Sequence, residues 1–199
     1  MHMQLCIMKK KKICLIGVLV VVVVAIGVYI FRDTKEQIND IQTYEEVLGE
    51  SGKYKENLIR YNDIFPDSLK EVQNVEEFTY VYYNLWDPNY FGYLVCTYSN
   101  KQFEEEVARL KKLNSTEYKG IYGIEEFPYE LCAVYADDYY GVIYAMADNS
   151  EHKIIYVSLE FCNYFTDIKY EQKMNKSYLP KGFNAKPQNK TRKAFEQEK

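Results

Sequence analysis

The strongest hydrophobic pattern of the chain runs from Ile13 to Phe31, where nineteen consecutive residues carry no charge. At ~1.5 Å of rise per residue, a helix of this length spans roughly 28 Å, close to the ~30 Å apolar core of a bilayer. Four lysines, Lys9 to Lys12, precede the run, whereas the charges after it are nearly balanced. The pattern predicts a transmembrane helix over 13–31, with residues 1–12 as a basic cytoplasmic segment and the remainder outside the cell.

A cleaved signal peptide is the competing interpretation of this N-terminal run. Signal peptides have an apolar stretch of only about 7 to 15 residues, followed by small residues at the cleavage site. Here the run is longer and ends in Val28-Tyr29-Ile30-Phe31-Arg32, so an uncleaved anchor is favoured. Met1 and Met8, which directly precedes the lysines, are both candidate start residues.

The segment 32–62 is predicted to be a juxtamembrane helical segment. Within 33–49 the apolar residues recur at helical spacing, and Gly49 is typical of a helix end. These apolar residues are Ile38, Ile41, Tyr44, Val47 and Leu48. A second short helix is predicted over 54–61, and Phe65-Pro66 limits its extent.

Residues 63–170 are predicted to form an α+β extracytoplasmic domain with an antiparallel sheet of about five strands in the order ββ-α-βββ. Aromatic and β-branched residues dominate five stretches, which turn-forming residues separate. The predicted strands are 77–86, 90–98, 127–136, 139–147 and 153–161. The first two strands are apolar on both faces, which indicates that something covers each side of the sheet.

The clearest helical pattern of this domain lies between its second and third strands, over 101–113. Ser99 and Gln102 have the spacing of a capping box. Glutamates occupy the first turns and basic residues the last turns, as the helix dipole favours. One stripe of the helix is apolar and consists of Phe103, Val107, Leu110 and Leu113. We expect this amphipathic helix to pack on one face of the sheet.

The formal net charge of −4 is a balance between segments of opposite sign. Residues 33–170 carry −14, whereas the first 32 residues and residues 171–199 carry +5 each. From residue 171 onward apolar residues become rare, and Pro180, Gly182 and Pro187 appear, so we expect a basic disordered tail over 171–199. The acidic domain argues against a nucleic-acid partner held by bulk charge.

An internal repeat is a further feature of the predicted hairpins. Glu76-Glu77-Phe78 recurs as Glu125-Glu126-Phe127, and Gly92 recurs at the same offset as Gly141. A duplication would place these two glycines at equivalent strand positions. Coincidence between two tyrosine-rich hairpins is the alternative explanation.

Few residues of the predicted domain offer catalytic or metal-binding chemistry. His152 is its single histidine, and the chain lacks a Gly-x-Ser-x-Gly elbow, a Cys-x-x-Cys pair and a phosphate-binding loop. We therefore expect no metal site and no cofactor. Of Cys96, Cys132 and Cys162, at most one pair can form a disulfide. Cys96–Cys132 is the candidate pair, and buried free thiols are the alternative.

Tyrosine is the unusual component of the composition, with 21 residues. Tyrosine combines a rigid apolar ring with a polar tip and is useful at binding surfaces. One interpretation is a surface for a protein or glycan partner, and the other is a tyrosine-rich core. The candidate binding residues are Tyr80, Tyr82, Tyr83, Tyr90 and Tyr93.

Lysine outnumbers arginine 21 to 4, a bias that fits an AT-rich coding sequence. With its tetralysine segment and anchor, the chain resembles the small single-pass membrane proteins of low-GC Gram-positive bacteria. This resemblance implies location and no catalytic residues. The leading hypothesis is a non-enzymatic binding or assembly module at the cell surface, bound to membrane lipid through its anchor. The alternative is a membrane-tethered, carboxylate-dependent hydrolase acting on cell-envelope material.

Overall fold

The computed structural model divides the chain into two compact units, Met1–Thr34 and Lys35–Lys199. The residues that the structure describes are 17–27, 35–54, 63–83 and 86–199.

The first unit contains helix α1, residues 17–27. Its apolar side chains are exposed over about half of their surface or more, including Val18, Val21 and Ile26. The flanking parts of the predicted membrane helix, 13–16 and 28–31, lie outside the described residues. Among the residues that are described, no helix is both long enough and apolar enough to cross a membrane.

The second unit is α+β, as the sequence predicts, and its centre is one antiparallel sheet with six strands rather than five. The spatial order is β1-β2-β3-β6-β5-β4, and every neighbouring pair is antiparallel. The strands are β1 (Lys35–Ile38), β2 (Asn74–Tyr83), β3 (Asn89–Thr97), β4 (Glu130–Asp137), β5 (Gly141–Asp148) and β6 (Lys153–Glu160). Strands β2 to β6 follow the predicted ββ-α-βββ order.

The additional strand lies where the sequence predicts a helix over 33–49. Residues Lys35–Ile38 instead pair with the end of β2, Lys35 opposite Tyr83. Helical structure follows only as a 3-10 turn, Ile41–Thr43, and a single-turn helix α2, Tyr44–Val47. Pairing with a distant strand outweighs the local helical spacing here. Most of the second predicted helix, 54–61, falls in 55–62, outside the described residues.

Helix α3, Asn100–Lys111, packs on one face of the sheet as predicted and covers it together with α2. We call this the helical face. Phe103 and Leu110 are the buried residues of α3. The predicted capping box is not formed: the Ser99 hydroxyl donates to Gln102 Oε1 at 2.7 Å and caps no backbone N–H.

The opposite face is covered by residues 118–127 and by the chain that follows β6, and we call it the C-terminal face. The structure differs here from the disordered tail predicted over 171–199. Two 3-10 turns, Tyr170–Gln172 and Lys176–Tyr178, lead to helix α4, Lys190–Gln197. The buried hydrophobic side chains that this covering segment adds to the cluster are Phe161, Ile168, Tyr170, Met174, Tyr178 and Ala185. A few large, widely spaced apolar residues are enough to hold it to the sheet.

The two parts of this cover meet at Gly123 and Gly182, which both have positive φ, 76° and 80°. A Cβ atom on Gly123 would lie 2.7 Å from the carbonyl oxygen of Gly182, and one on Gly182 would lie 2.3 Å from that of Gly123. Only glycine fits this close backbone approach. By contrast, the glycines of the sequence repeat are not equivalent, since Gly92 lies inside β3 whereas Gly141 opens β5 with φ 111°.

Candidate functional site

The five candidate binding tyrosines do not form one surface. Because strand residues alternate between faces, Tyr80, Tyr82 and Tyr90 lie on the helical face and Tyr83 and Tyr93 on the C-terminal face. Tyr80, Tyr90 and Tyr93 are buried, with 1%, 8% and 2% of their surface exposed. The tyrosine-rich core is the interpretation that agrees with these positions.

The candidate disulfide is also absent. Cys96 lies on β3 and Cys132 on β4, with β6 and β5 between them, and both thiols are free. Three strand spacings of ~4.8 Å separate them by roughly 14 Å, too far for a bridge. Cys162 is free as well, and its thiol donates to Asp87 Oδ1 at 2.8 Å. Burial raises the pKa of Cys132 to about 11 and, together with Asp87, that of Cys162 to about 12.

A cleft of about 420 Å³ lies where β1 and the end of β2 meet the segment after β6. Its lining residues are Lys35, Val81, Tyr83, Asp167, Ile168, Lys169, Gln172 and Lys173. We call this the lysine cleft. A second cleft, of about 350 Å³, shares several of these residues and adds the ion pair between Lys186 and Glu171, whose charged atoms are 2.7 Å apart.

The lysine cleft concentrates positive charge. Within the part of the chain that the structure describes, Lys35, Lys169 and Lys173 form no ion pair with a carboxylate. Lys173 Nζ donates to Gln37 Oε1 at 2.6 Å. Burial, and then the like charge of Lys35, lower the pKa of Lys173 below its ordinary value. The site is therefore suited to an anionic group, which would offset this repulsion.

Two aromatic side chains are exposed on turns of the same domain. Trp86, between β2 and β3, has 66% of its surface exposed, and Tyr139, between β4 and β5, has 37%. The Tyr139 ring packs edge-on against Tyr164, with 4.9 Å between ring centroids, and Tyr164 stacks on Phe195 at 4.7 Å. Asp137 Oδ1 fixes this turn by accepting the backbone N–H of Tyr139. These contacts hold the Tyr139 ring at the surface.

A largely buried charged side chain, that of Glu106, belongs to α3 itself. The Glu106 carboxylate accepts hydrogen bonds from Tyr156 Oη at 2.6 Å and from Arg109 Nε and Nη2 at 2.7 Å each. The Tyr156 hydroxyl is also 2.8 Å from that of Tyr98. Arg109 Nη2 also donates a hydrogen bond to the carbonyl oxygen of Ile64 at 3.0 Å. This network ties α3 to β6 and to the chain before β2, so its role is structural.

His152 and the carboxylate of Asp148 are both held in the turn between β5 and β6 or at its start. His152, at φ 48°, lies between β5 and β6 with its ring centroid 5.2 Å from that of Phe103. Asp148 accepts the backbone N–H and the hydroxyl of Ser150 at 3.0 and 2.6 Å. Among the described residues, no group of three or more His, Cys, Asp or Glu side chains is placed to hold a metal ion.

Neither the lysine cleft nor the exposed turn aromatics can be recognised from the sequence pattern. Lys35 is separated from Lys169 and Lys173 by more than 130 residues, so their proximity depends on β1 joining the sheet. No local spacing marks them. Comparison with protein-family models, with curated protein sequences and with solved structures finds no match for this chain.

Proposed function

We propose that the protein is a single-pass, membrane-anchored module of the small Gram-positive type, with a cytoplasmic N-terminus and an extracytoplasmic, non-enzymatic binding domain. The domain binds an anionic ligand in the lysine cleft. The observation that carries the binding proposal is the convergence of Lys35, Lys169 and Lys173 without a carboxylate ion pair among the described residues.

The anchor is supported by the uncharged run from Ile13 to Phe31 and by the exposed apolar side chains of α1 within it. Exposed valines and isoleucines are unfavourable in water and favourable against lipid. The lysines at 9–12 support the cytoplasmic placement of the N-terminus.

The cleft favours a ligand with a phosphate or carboxylate group. Lysine binds phosphate as a point charge with three donors, and three converging lysines supply more donors than one such group needs. In the ligand-free protein the charged form of Lys173 is disfavoured, because burial and then the like charge of Lys35 lower its pKa. Arrangements of this kind cost stability and are typical of functional sites.

The hydrolase alternative has less support. It needs two carboxylates about 5 to 9.5 Å apart in an accessible cleft. Asp167 is the single carboxylate among the residues lining the lysine cleft. Glu160 is buried and accepts a hydrogen bond from Ser158, and Glu106, whose side chain is 12% exposed, accepts one from Tyr156. The hydrolase stays a prediction, as does a protein or glycan partner.

Thermal unfolding of the full chain in neutral detergent tests the proposal. Inorganic phosphate, compared with chloride at equal ionic strength, should raise the Tm by roughly 3 to 5 °C at ten times its Kd. Lys35→Gln and Lys173→Gln should each abolish most of this rise. Lys101→Gln is the matched control, because Lys101 lies exposed on α3 and pairs with Glu105. An equal phosphate effect in all variants, or none in the native chain, would overturn the proposal.

A further inference from the structure

The chain enters the folded domain at one end of the sheet, and three features of the fold meet there. Lys35, the first residue of β1, pairs with Tyr83 at the end of β2. Glu160 at the end of β6 pairs with Tyr90 of β3 and with Gly141 of β5. The start of β1, the β2–β3 turn and the β4–β5 turn therefore share this end, which we call the entry end.

The exposed aromatic side chains are confined to the entry end. Among the described residues from Lys35 onward, Trp86 and Tyr139 are the large hydrophobic side chains that remain exposed. Trp86 lies in the β2–β3 turn and Tyr139 in the β4–β5 turn. Three strand spacings of ~4.8 Å place these turns roughly 14 Å apart. At the opposite end, the β5–β6 turn exposes Asn149, Ser150 and Glu151 instead.

The sequence leaves only a short tether between the proposed anchor and the first strand of the domain. Lys35 follows Phe31, the last residue of the uncharged run, by four residues. A fully extended chain covers at most ~3.6 Å per residue, so this tether is no longer than about 14 Å. The lysine cleft lies at the same end, because Lys35 and Tyr83 line it.

We propose that the entry end docks on the outer surface of the membrane that carries the anchor, and that the lysine cleft binds the phosphates of anionic lipid headgroups. Trp86 and Tyr139 insert their rings at headgroup level, where amphipathic aromatic side chains are favoured. Clustered lysines are attracted to anionic lipid surfaces over about a Debye length. This inference rests on the proposed function and names the source of its anionic ligand.

Acidic side chains at the entry end oppose docking and make the lysines necessary. Asp137 is engaged with the backbone of its own turn, and Asp87 accepts from the Cys162 thiol. Asp138 is exposed beside Tyr139. Asp167 lines the cleft itself. We assign the attraction to anionic lipid to the cleft lysines, and neutralising Asp138 should strengthen docking.

Trp86 provides the measurement, since it is the single tryptophan of the chain. The full chain is reconstituted into vesicles of phosphatidylcholine alone, or of phosphatidylcholine with one third phosphatidylglycerol, and Trp86 fluorescence is quenched with acrylamide. Docking should shift the emission to shorter wavelength and lower the quenching constant by roughly two-fold or more in the anionic vesicles. Asp138→Asn should increase this protection.

The double variant Lys35→Gln/Lys173→Gln should restore acrylamide quenching in anionic vesicles, whereas Lys101→Gln should not. Equal quenching in both lipid compositions, with the phosphate-dependent rise in Tm intact, would overturn docking and leave the proposed function standing with a soluble ligand. If the protection of Trp86 and the phosphate-dependent rise in Tm were both absent, both the docking and the proposed function would be overturned. Protection of Trp86 that persists in the double variant would overturn the role of the cleft.

Discussion

The helical face and the C-terminal face of the sheet are both buried, but their covers are built in different ways. On the helical face, α3 presents a periodic stripe in which Phe103 and Leu110 are buried. On the C-terminal face, short 3-10 turns joined by irregular chain present single large side chains such as Tyr170 and Tyr178.

This difference shows that burial does not require regular secondary structure in the covering layer. A helix pairs most of its backbone N–H and C=O groups internally, whereas these groups in irregular chain need hydrogen-bond partners from elsewhere in the protein. Here the backbone N–H of Ala185 donates to the Tyr170 hydroxyl at 3.0 Å, and the hydroxyl of Tyr144 donates to the carbonyl oxygen of Tyr178 at 2.8 Å. Tyrosine supplies both the apolar ring and the missing hydrogen-bond partner.

The sharpest test of the comparison is Tyr170→Ala. Tyr170 is 1% exposed, and its removal leaves a cavity and an unpartnered Ala185 N–H, so we expect a loss of about 3 to 5 kcal/mol. Leu110→Ala on the helical face should cost about 2 to 5 kcal/mol. Urea unfolding monitored by circular dichroism measures both. A Tyr170→Ala variant as stable as the native chain would mean that the segment after β6 does not cover the sheet.

Buried tyrosine hydroxyl groups on the two faces should contribute different amounts to the free energy of unfolding. Tyr156→Phe removes a hydrogen bond to the Glu106 carboxylate, whereas Tyr144→Phe removes one to a neutral carbonyl. Bonds to charged groups contribute about 1.5 to 3 kcal/mol and neutral ones about 0.5 to 1.5 kcal/mol. We expect Tyr156→Phe to be the more destabilising variant in the same unfolding assay, and the reverse order would contradict the Glu106 network.

Tyr80→Phe should have almost no cost. The Tyr80 hydroxyl is buried without a hydrogen-bond partner among the described residues. Deleting an unpartnered buried hydroxyl removes a desolvation penalty, so stability should stay level or rise by up to about 1 kcal/mol. A loss of more than 1 kcal/mol, comparable to Tyr144→Phe, would show that this hydroxyl has a partner.

The smallest effect is expected at the lysine cleft. Burial and Lys35 lower the pKa of Lys173, so its charged form is less stable folded than unfolded. Lys173→Gln should therefore raise the Tm of the ligand-free protein at neutral pH, by less than about 2 °C. The gain should shrink as the pH rises through the lowered pKa, because native Lys173 then loses its proton. A fall in Tm would argue against repulsion in the cleft.

Sequence patterns predict those helices and strands that are determined by residues within their own segment. Helix α3 is predicted to within two residues at its C-terminal end, since its stripe and its charges lie within one segment. Strands β3, β5 and β6 are likewise found close to their predicted ranges. Strand β1 could not be predicted, because Lys-Glu-Gln-Ile has no strand pattern of its own and depends on β2, more than 40 residues away.

The candidate site was harder to predict than the fold for the same physical reason. Tyr80, Tyr82 and Tyr83 are neighbours in sequence, but alternation along β2 places Tyr83 on the opposite face from the other two. The lysine cleft joins Lys35 to Lys173, which only the complete sheet and its irregular cover bring together. Local composition gives no indication of such a site.

The segment that covers the C-terminal face is synthesised after the strands that it covers. The ribosome makes all six strands before it makes the chain that follows β6. Until Tyr170 and Tyr178 emerge, the apolar cluster that contains Phe91, Val157 and Leu159 lacks the part of its cover that follows β6. A nascent sheet in this state is open to association with other chains or capture by chaperones. The solubility of the newly made domain thus depends on the segment whose composition looks least structured.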